Sequence, residues 1–153
     1  MVQFVRSKAA EWNTDPDRVG IYGSSAGAIL SEWITFAPDA AELESEDPIA
    51  RQSTKIQALA AYNQPWKPVT ENIIPTMTKD SPPLWLMAGS HREDNIHNPA
   101  YAEMMKARAE ELAVYVELYG FSENDITAVA LSRNRFEAMT VFFAKQFKTV
   151  ESK

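Results

Sequence analysis

The sequence predicts an α/β fold, a three-layer α/β/α arrangement around a short, mostly parallel sheet of about four strands. Three observations carry this. Apolar segments of helical period alternate with short runs that are β-branched, aromatic or continuously apolar. The resulting order, α-β-α-β-loop-β-α-β-α, requires parallel strands joined by right-handed crossovers, with helices on both faces. With 153 residues and 45% hydrophobic content, the chain can bury one sizeable core, so residues 1–153 are expected to form a single domain.

Val2, Val5, Ala9 and Trp12 recur at helical spacing, which predicts an amphipathic helix over residues 1–12, ending before the Asp15-Pro16 turn. Arg18-Val19-Gly20-Ile21-Tyr22-Gly23 reads as a buried parallel strand. A helix over 25–36 follows, mostly apolar through Ala26, Ala28, Ile29, Leu30, Trp33, Ile34 and Phe36, and stopped by Pro38. Residues 37–54 carry Glu42, Glu44, Glu46 and Asp47 without the Asx and glycine spacing of a calcium loop, so they read as a solvated crossover. A second strand is expected at Ile56–Tyr62. Pro65, Pro68, Pro75, Pro82 and Pro83 forbid ladder pairing over 63–83 and mark a long lid or binding loop. The third strand is Leu84–Gly89, and Asn98-Pro99 starts the next helix, whose Tyr101, Met105, Ala109 and Leu112 form a core stripe. A fourth strand over 113–119 precedes a closing helix with Phe136, Met139, Phe143, Phe147 and Val150 on one face. Trp12, Trp33 and Trp85 are assigned to the core; Trp66, in the proline-rich loop, is an ordinary loop residue first and a candidate for the lining of an acyl pocket second.

Charge and composition narrow the functional classes. A net charge of −6 and a pI near 5.0 offer no basic face to a phosphate backbone, so neither nucleic acid nor an anionic membrane surface is an expected partner. No apolar stretch approaches the length of a membrane span and no signal-type apolar block stands at residue 1, which points to a cytoplasmic protein. The absence of cysteine excludes disulfide and thiol chemistry. With only His91 and His97 besides, no structural zinc site is expected.

Chemistry concentrates at Gly23-x-Ser25-x-Gly27, entered from a strand and left into a helix, which is the sequence form of a nucleophile elbow. The sharp turn lifts the serine hydroxyl clear of the backbone, and glycine lets the neighbouring chain pass closely. Ser25 then needs a base within hydrogen-bond reach and a carboxylate to orient that base. Both histidines lie in the loop after the third strand. If that strand is second neighbour to the elbow strand, the gap is about 10 Å at roughly 4.8 Å per strand, within reach of a loop and an imidazole. His97 is preferred because it sits just ahead of the Asn98-Pro99 helix start, with Asp94 or Asp125 to orient it; the backbone N–H of Ala26 is the expected oxyanion donor.

Asn13-Thr14-Asp15-Pro16-Asp17-Arg18-Val19, leading into Gly23-Ser24-Ser25-Ala26-Gly27-Ala28, resembles the α/β-hydrolase superfamily, in particular its bacterial carboxylesterase-like members. Glu46-Asp47-Pro48-Ile49-Ala50-Arg51-Gln52-Ser53-Thr54 is similar to the segment after the elbow helix in one group of bacterial esterases. The likeness is clearest over residues 1–60; over 84–148 it lies in the order of elements. It implies a truncated α/β-hydrolase-like fold, matching only the C-terminal half from the helix before the elbow onward. It also implies a serine ester hydrolase acting on small carboxylic esters through an acyl-serine intermediate, without cofactor or metal. The family order of serine, acid, histidine places the acid where Glu93 and Asp94 stand, and the histidine after the fourth strand, where Gly120-Phe121-Ser122-Glu123-Asn124-Asp125 contains none. No His-Gly-Gly type loop precedes Gly23. The expected set is therefore Ser25 as nucleophile, His97 as base and Asp94 as acid, framed by Gly23 and Gly27. The competing class is a non-catalytic hydrolase half serving as an interaction or ligand-binding module. In either case the elbow strand would be a raw sheet edge: either two chains meet along it or the chain is a piece of something longer, and self-association through that edge is the expectation.

Overall fold

The computed structural model describes residues 1–65, 72–89, 92–120 and 135–148. Two short helices, α1 (Val2–Ser7) and α2 (Ala9–Trp12), lead to β1 (Gly20–Ser24) and α3 (Ala26–Phe36). Then come β2 (Ala58–Tyr62), a 3₁₀ turn at Ile74–Thr76, β3 (Leu84–Ala88), α4 (Ala100–Glu111), β4 (Val116–Gly120) and α5 (Arg135–Lys148). The strands form one four-stranded sheet in the order β1-β2-β3-β4, every pairing parallel. β3 is thus second neighbour to β1.

β2 and β3 read Ala-Leu-Ala-Ala-Tyr and Leu-Trp-Leu-Met-Ala, nearly all of it buried, as parallel strands covered on both faces require. Alternate residues feed two cores. On one face Leu59, Ala61, Leu84 and Leu86 meet Ala28 and Phe36 of α3 and Tyr101, Met105 and Ala109 of α4. On the other, Ala58, Ala60, Trp85 and Met87 meet Phe142 of α5, with Tyr22, Tyr119 and Phe143 beside them. The proline-rich connection contributes as well, through buried Ile73 and Met77.

Three sequence expectations need correction. The helix expected over 1–12 is broken at Lys8, and its inward residues are Val2, Arg6 and Ala9, leaving Trp12 48% exposed against Phe4. Arg6 takes the inward position because its guanidinium donates to the carbonyls of Pro16 (2.9 Å), Ser53 (2.6 Å) and Lys55 (2.5 Å) and to Gln57 Oε1 (2.9 Å). Burial pulls its pKa below the ordinary value, while Asp39 and Asp17 oppose the shift. In α3 the buried residues are Ala28, Ser31, Glu32, Thr35 and Phe36, so Trp33 is 55% exposed rather than core. Trp85 is buried as expected, and Trp66 lies outside the described residues. The fourth strand starts at Val116, not 113, because Ala113 adopts a positive φ of 57° and the Val114 N–H bonds back to the Ala109 carbonyl, closing α4.

Between β1 and α3 the chain turns at Ser25, held at φ 53°, ψ −123°. Such a conformation costs a non-glycine residue on the order of 1–3 kcal/mol. Neighbouring bonds hold it: the Ser25 N–H donates to the Tyr62 carbonyl (3.0 Å), and the Ser25 carbonyl accepts from the N–H groups of Ala28 (2.9 Å) and Ile29 (3.3 Å). The two framing glycines are not equivalent. A Cβ on Gly23 would lie 2.0 Å from the Gly27 carbonyl oxygen, a backbone atom that cannot step aside, whereas a Cβ on Gly27 would meet nothing within 4 Å.

Two outcomes are expected in urea unfolding. Gly23→Ala should destroy the elbow and cost several kcal/mol, while Gly27→Ala, in the first turn of α3, should stabilise by about 0.5–1 kcal/mol; equal losses would contradict this packing. Arg6→Ala deprives three carbonyls of a charged donor and should cost roughly 3 kcal/mol. A loss below about 0.5 kcal/mol would mean that α1 is not docked through Arg6.

Candidate active site

In a parallel sheet the loops following all strands emerge at one end, and here that end carries Ser25, Asn63 and the segment after β3. Asn63, at φ 48°, donates its N–H to the Met87 carbonyl and accepts the Gly89 N–H on Oδ1, each at 2.8 Å. This ties the exit of β2 to the exit of β3. Further on, Asp94 Oδ1 accepts the N–H groups of Ile96 (2.7 Å) and His97 (3.0 Å), closing a tight turn. Asn98 closes the segment: Nδ2 donates to the Arg92 carbonyl (2.5 Å) and Oδ1 accepts the Ala100 N–H (2.9 Å), so α4 begins one residue beyond Pro99.

This framework carries the His97 ring across the width of β2. Ser25 Oγ and His97 Nε2 are 3.0 Å apart, and His97 Nδ1 lies 3.7 Å from Asp94 Oδ2. The first distance is a hydrogen bond; the second is an electrostatic approach too long to be one. The ring and the carboxylate are 32% and 35% exposed, so the pair is open to a ligand from solvent. With the imidazole proton on Nδ1, Nε2 is free to accept the serine proton. Ala26 opens α3, and its N–H is one of the first-turn donors that helix geometry leaves without an intrahelical partner.

Ser25, His97, Asp94 and the Ala26 N–H therefore stand together. Glu93, the other acidic residue of the segment, is exposed. His91 and Asp125 lie outside the described residues. Sequence reasoning missed Asn63, whose only signal was a turn-forming residue at a strand end, and Glu32, an acidic residue on the inner side of α3. A cavity of about 440 Å³ lined by Trp33, Phe36, Pro38, Lys55, Thr76 and Thr78 lies at the other end of α3, away from Ser25. Among the described residues no His, Asp and Glu cluster has metal-binding spacing, and no helix is long and apolar enough to cross a membrane.

Comparison with known proteins agrees with this architecture. Residues 1–66 match the family model described as BD-FAE. No curated protein matches the chain. Among solved structures, the acetyl ester-xyloside bifunctional hydrolase from Caldicellulosiruptor lactoaceticus superposes with a TM-score of 0.75 at 18% identity, over 98% of this chain and 63% of that one. The esterase Est2 from the Planctomycetes species Thermogutta terrifontis gives 0.70 at 18% identity, over 94% and 60%; it has also been solved with propionate and with butyrate bound, and phosphonylated by sarin. MGS-M1, an α/β-hydrolase enzyme from a Medee basin deep-sea metagenome library, gives 0.65 at 15% identity, over 96% and 62%. The chain thus spans about three fifths of the length of these structures. Its parallel sheet, its strand-to-helix elbow and these likenesses together make it a chain with the α/β-hydrolase fold, from the helix before the elbow onward.

Proposed function

We propose that the chain hydrolyses small carboxylic esters, a carboxylesterase-type reaction with Ser25 as nucleophile. The observation that carries this reading is the 3.0 Å contact of Ser25 Oγ with His97 Nε2, with Asp94 beside the far ring nitrogen. In the reaction His97 Nε2 takes the Ser25 proton as Oγ attacks the ester carbonyl carbon, and the Ala26 N–H faces the developing oxyanion. Collapse of the tetrahedral species breaks the ester C–O bond, and the departing alkoxide takes the proton from His97. Water, deprotonated by His97, then releases the acid and restores Ser25. Short acyl groups are the favoured class, by analogy with the propionate and butyrate held by the Thermogutta esterase.

A second reading rests on β1. It lies at the edge of the sheet, its outer residues Gly20 and Ser24 exposed, beside a cavity of about 150 Å³ between α1 and β1. An unpaired parallel edge is a template for another strand, which suits a module that associates through β1, with a second copy as the simplest occupant.

A fluorophosphonate should label the intact protein once, on Ser25, as judged by mass, and Ser25→Ala should abolish the adduct; labelling that survives the substitution removes Ser25 from the mechanism. Hydrolysis of a short activated ester should fall about 10²–10⁴-fold in His97→Ala and little in His91→Ala. Equal, small effects would mean that His97 does not serve Ser25. Light scattering at micromolar concentration should report a dimer or larger species. A monomer that melts cooperatively would end the edge-pairing reading.

A further inference from the structure

Beneath the Ser25–His97 pair lies a polar cluster that the acyl-transfer scheme leaves unused. Glu32, on α3, has no exposed surface, and its Oε2 accepts the Tyr101 hydroxyl at 3.1 Å. The Gln64 side chain, itself 2% exposed, is buried beside this carboxyl, and neither it nor Glu32 Oε1 has a well-formed hydrogen bond among the described residues. Burial pushes the Glu32 carboxyl up to about 8, against the opposing influence of Tyr101 and Gln64, so it is neutral at pH 7. The groups acting on it are the Tyr101 hydroxyl from α4, itself raised by burial and by Glu32, and the Gln64 amide from the segment after β2. No charged side chain is among them.

The placement of the three residues gives the cluster its meaning. Glu32 follows Ser25 by seven positions, in the second turn of the helix that Ser25 caps, about 10 Å further along its axis. Tyr101 follows His97 by four and lies at the start of α4. Gln64 is two residues past Tyr62, whose carbonyl holds the Ser25 N–H. Glu32 and Tyr101 are therefore each a turn or two along the chain from one member of the pair above, and Gln64 stands next to the strand end that holds the Ser25 N–H.

We propose that Glu32 is a positioning residue for the Ser25–His97 pair, holding the nucleophile's helix against the base-bearing segment through the Tyr101 hydroxyl. The proposal rests on the esterase reading for its effect on rate, and on geometry alone for its effect on His97. A buried acid is a costly way to fill a helix interface that leucine would pack, and here it provides a directional bond between the two elements that must stay 3.0 Å apart at the site. Ionisation would place a charge in a buried position where no cation among the described residues acts on it. α3 and α4 then separate or admit water, and the Ser25–His97 contact lengthens.

The test follows kcat/KM for a short activated ester, the thermal melt and the His97 ring resonances from pH 5 to 9.5, the resonances being assigned with His91→Ala. If only the neutral acid is competent, the wild type should lose activity about tenfold per pH unit above the Glu32 transition, and Glu32→Gln, neutral throughout, should keep its pH 7 activity and lose this decline. Because the folded-state pKa lies above the unfolded one, the carboxyl's favourable contribution is complete below about 4.5 and is lost as pH rises to about 8. The wild-type melting temperature should therefore fall across that interval relative to Glu32→Gln. Tyr101→Phe should lower kcat at pH 7 while leaving KM unchanged. An alkaline decline that persists in Glu32→Gln overturns the proposal. If no variant hydrolyses ester or takes a fluorophosphonate, the esterase reading falls, and the ring resonances decide about Glu32 on their own: a second step near pH 8 that Glu32→Gln abolishes supports the positioning role, and its absence in the wild type refutes it.

Discussion

The rest of the structure depends on one strained residue. Ser25 sits at φ 53°, ψ −123° because the Tyr62 carbonyl takes its N–H just past the last β1–β2 pair, Ser24 with Tyr62, while α3 takes its carbonyl. Net hydrogen-bond energies of about 1 kcal/mol each suffice to offset the backbone cost only when several act together. The sheet register and the first turn of α3 are thus jointly required. A slip of one residue between β1 and β2 would move the Tyr62 carbonyl away and let the turn relax.

The second requirement is that a base reach over a whole strand. Asn63 fastens the exits of β2 and β3, Asp94 and Asn98 fold the following segment back on itself, and the imidazole covers the remaining distance. Asp94 has two tasks in this arrangement. One oxygen shapes the turn by accepting two backbone N–H groups, and the other faces the ring. The longer ring contact fits a carboxylate whose first duty is to the backbone.

How legible the molecule was in its sequence follows from the range of each cause. Strand and helix order, the elbow and the His97-Asn98-Pro99 start of α4 depend on local periodicity and turn chemistry, and these were read to within a few residues. Which side of a helix faces inward was not. Arg6 and Glu32 point into the protein because of partners 47 to 69 positions away, and a count of apolar residues assigns such side chains to solvent. Trp12 and Trp33 were placed in the core by the same count, and both are exposed. Gly27 fits the elbow pattern, yet no neighbouring atom demands it, whereas Gly23 is required by a backbone oxygen.

The Arg6 anchor also has a temporal side. Its acceptors on the far segment, the carbonyls of Ser53 and Lys55 and the side chain of Gln57, come 47, 49 and 51 residues later. At ribosomal rates of about 5–20 residues per second, α1 waits roughly 2–10 s before those acceptors exist. Throughout that interval its guanidinium is hydrated and its apolar side has no sheet to cover. Docking of α1 therefore waits on synthesis of the segment that carries those acceptors, and β1 likewise stands without its neighbour β2 until residues 58–62 have been made.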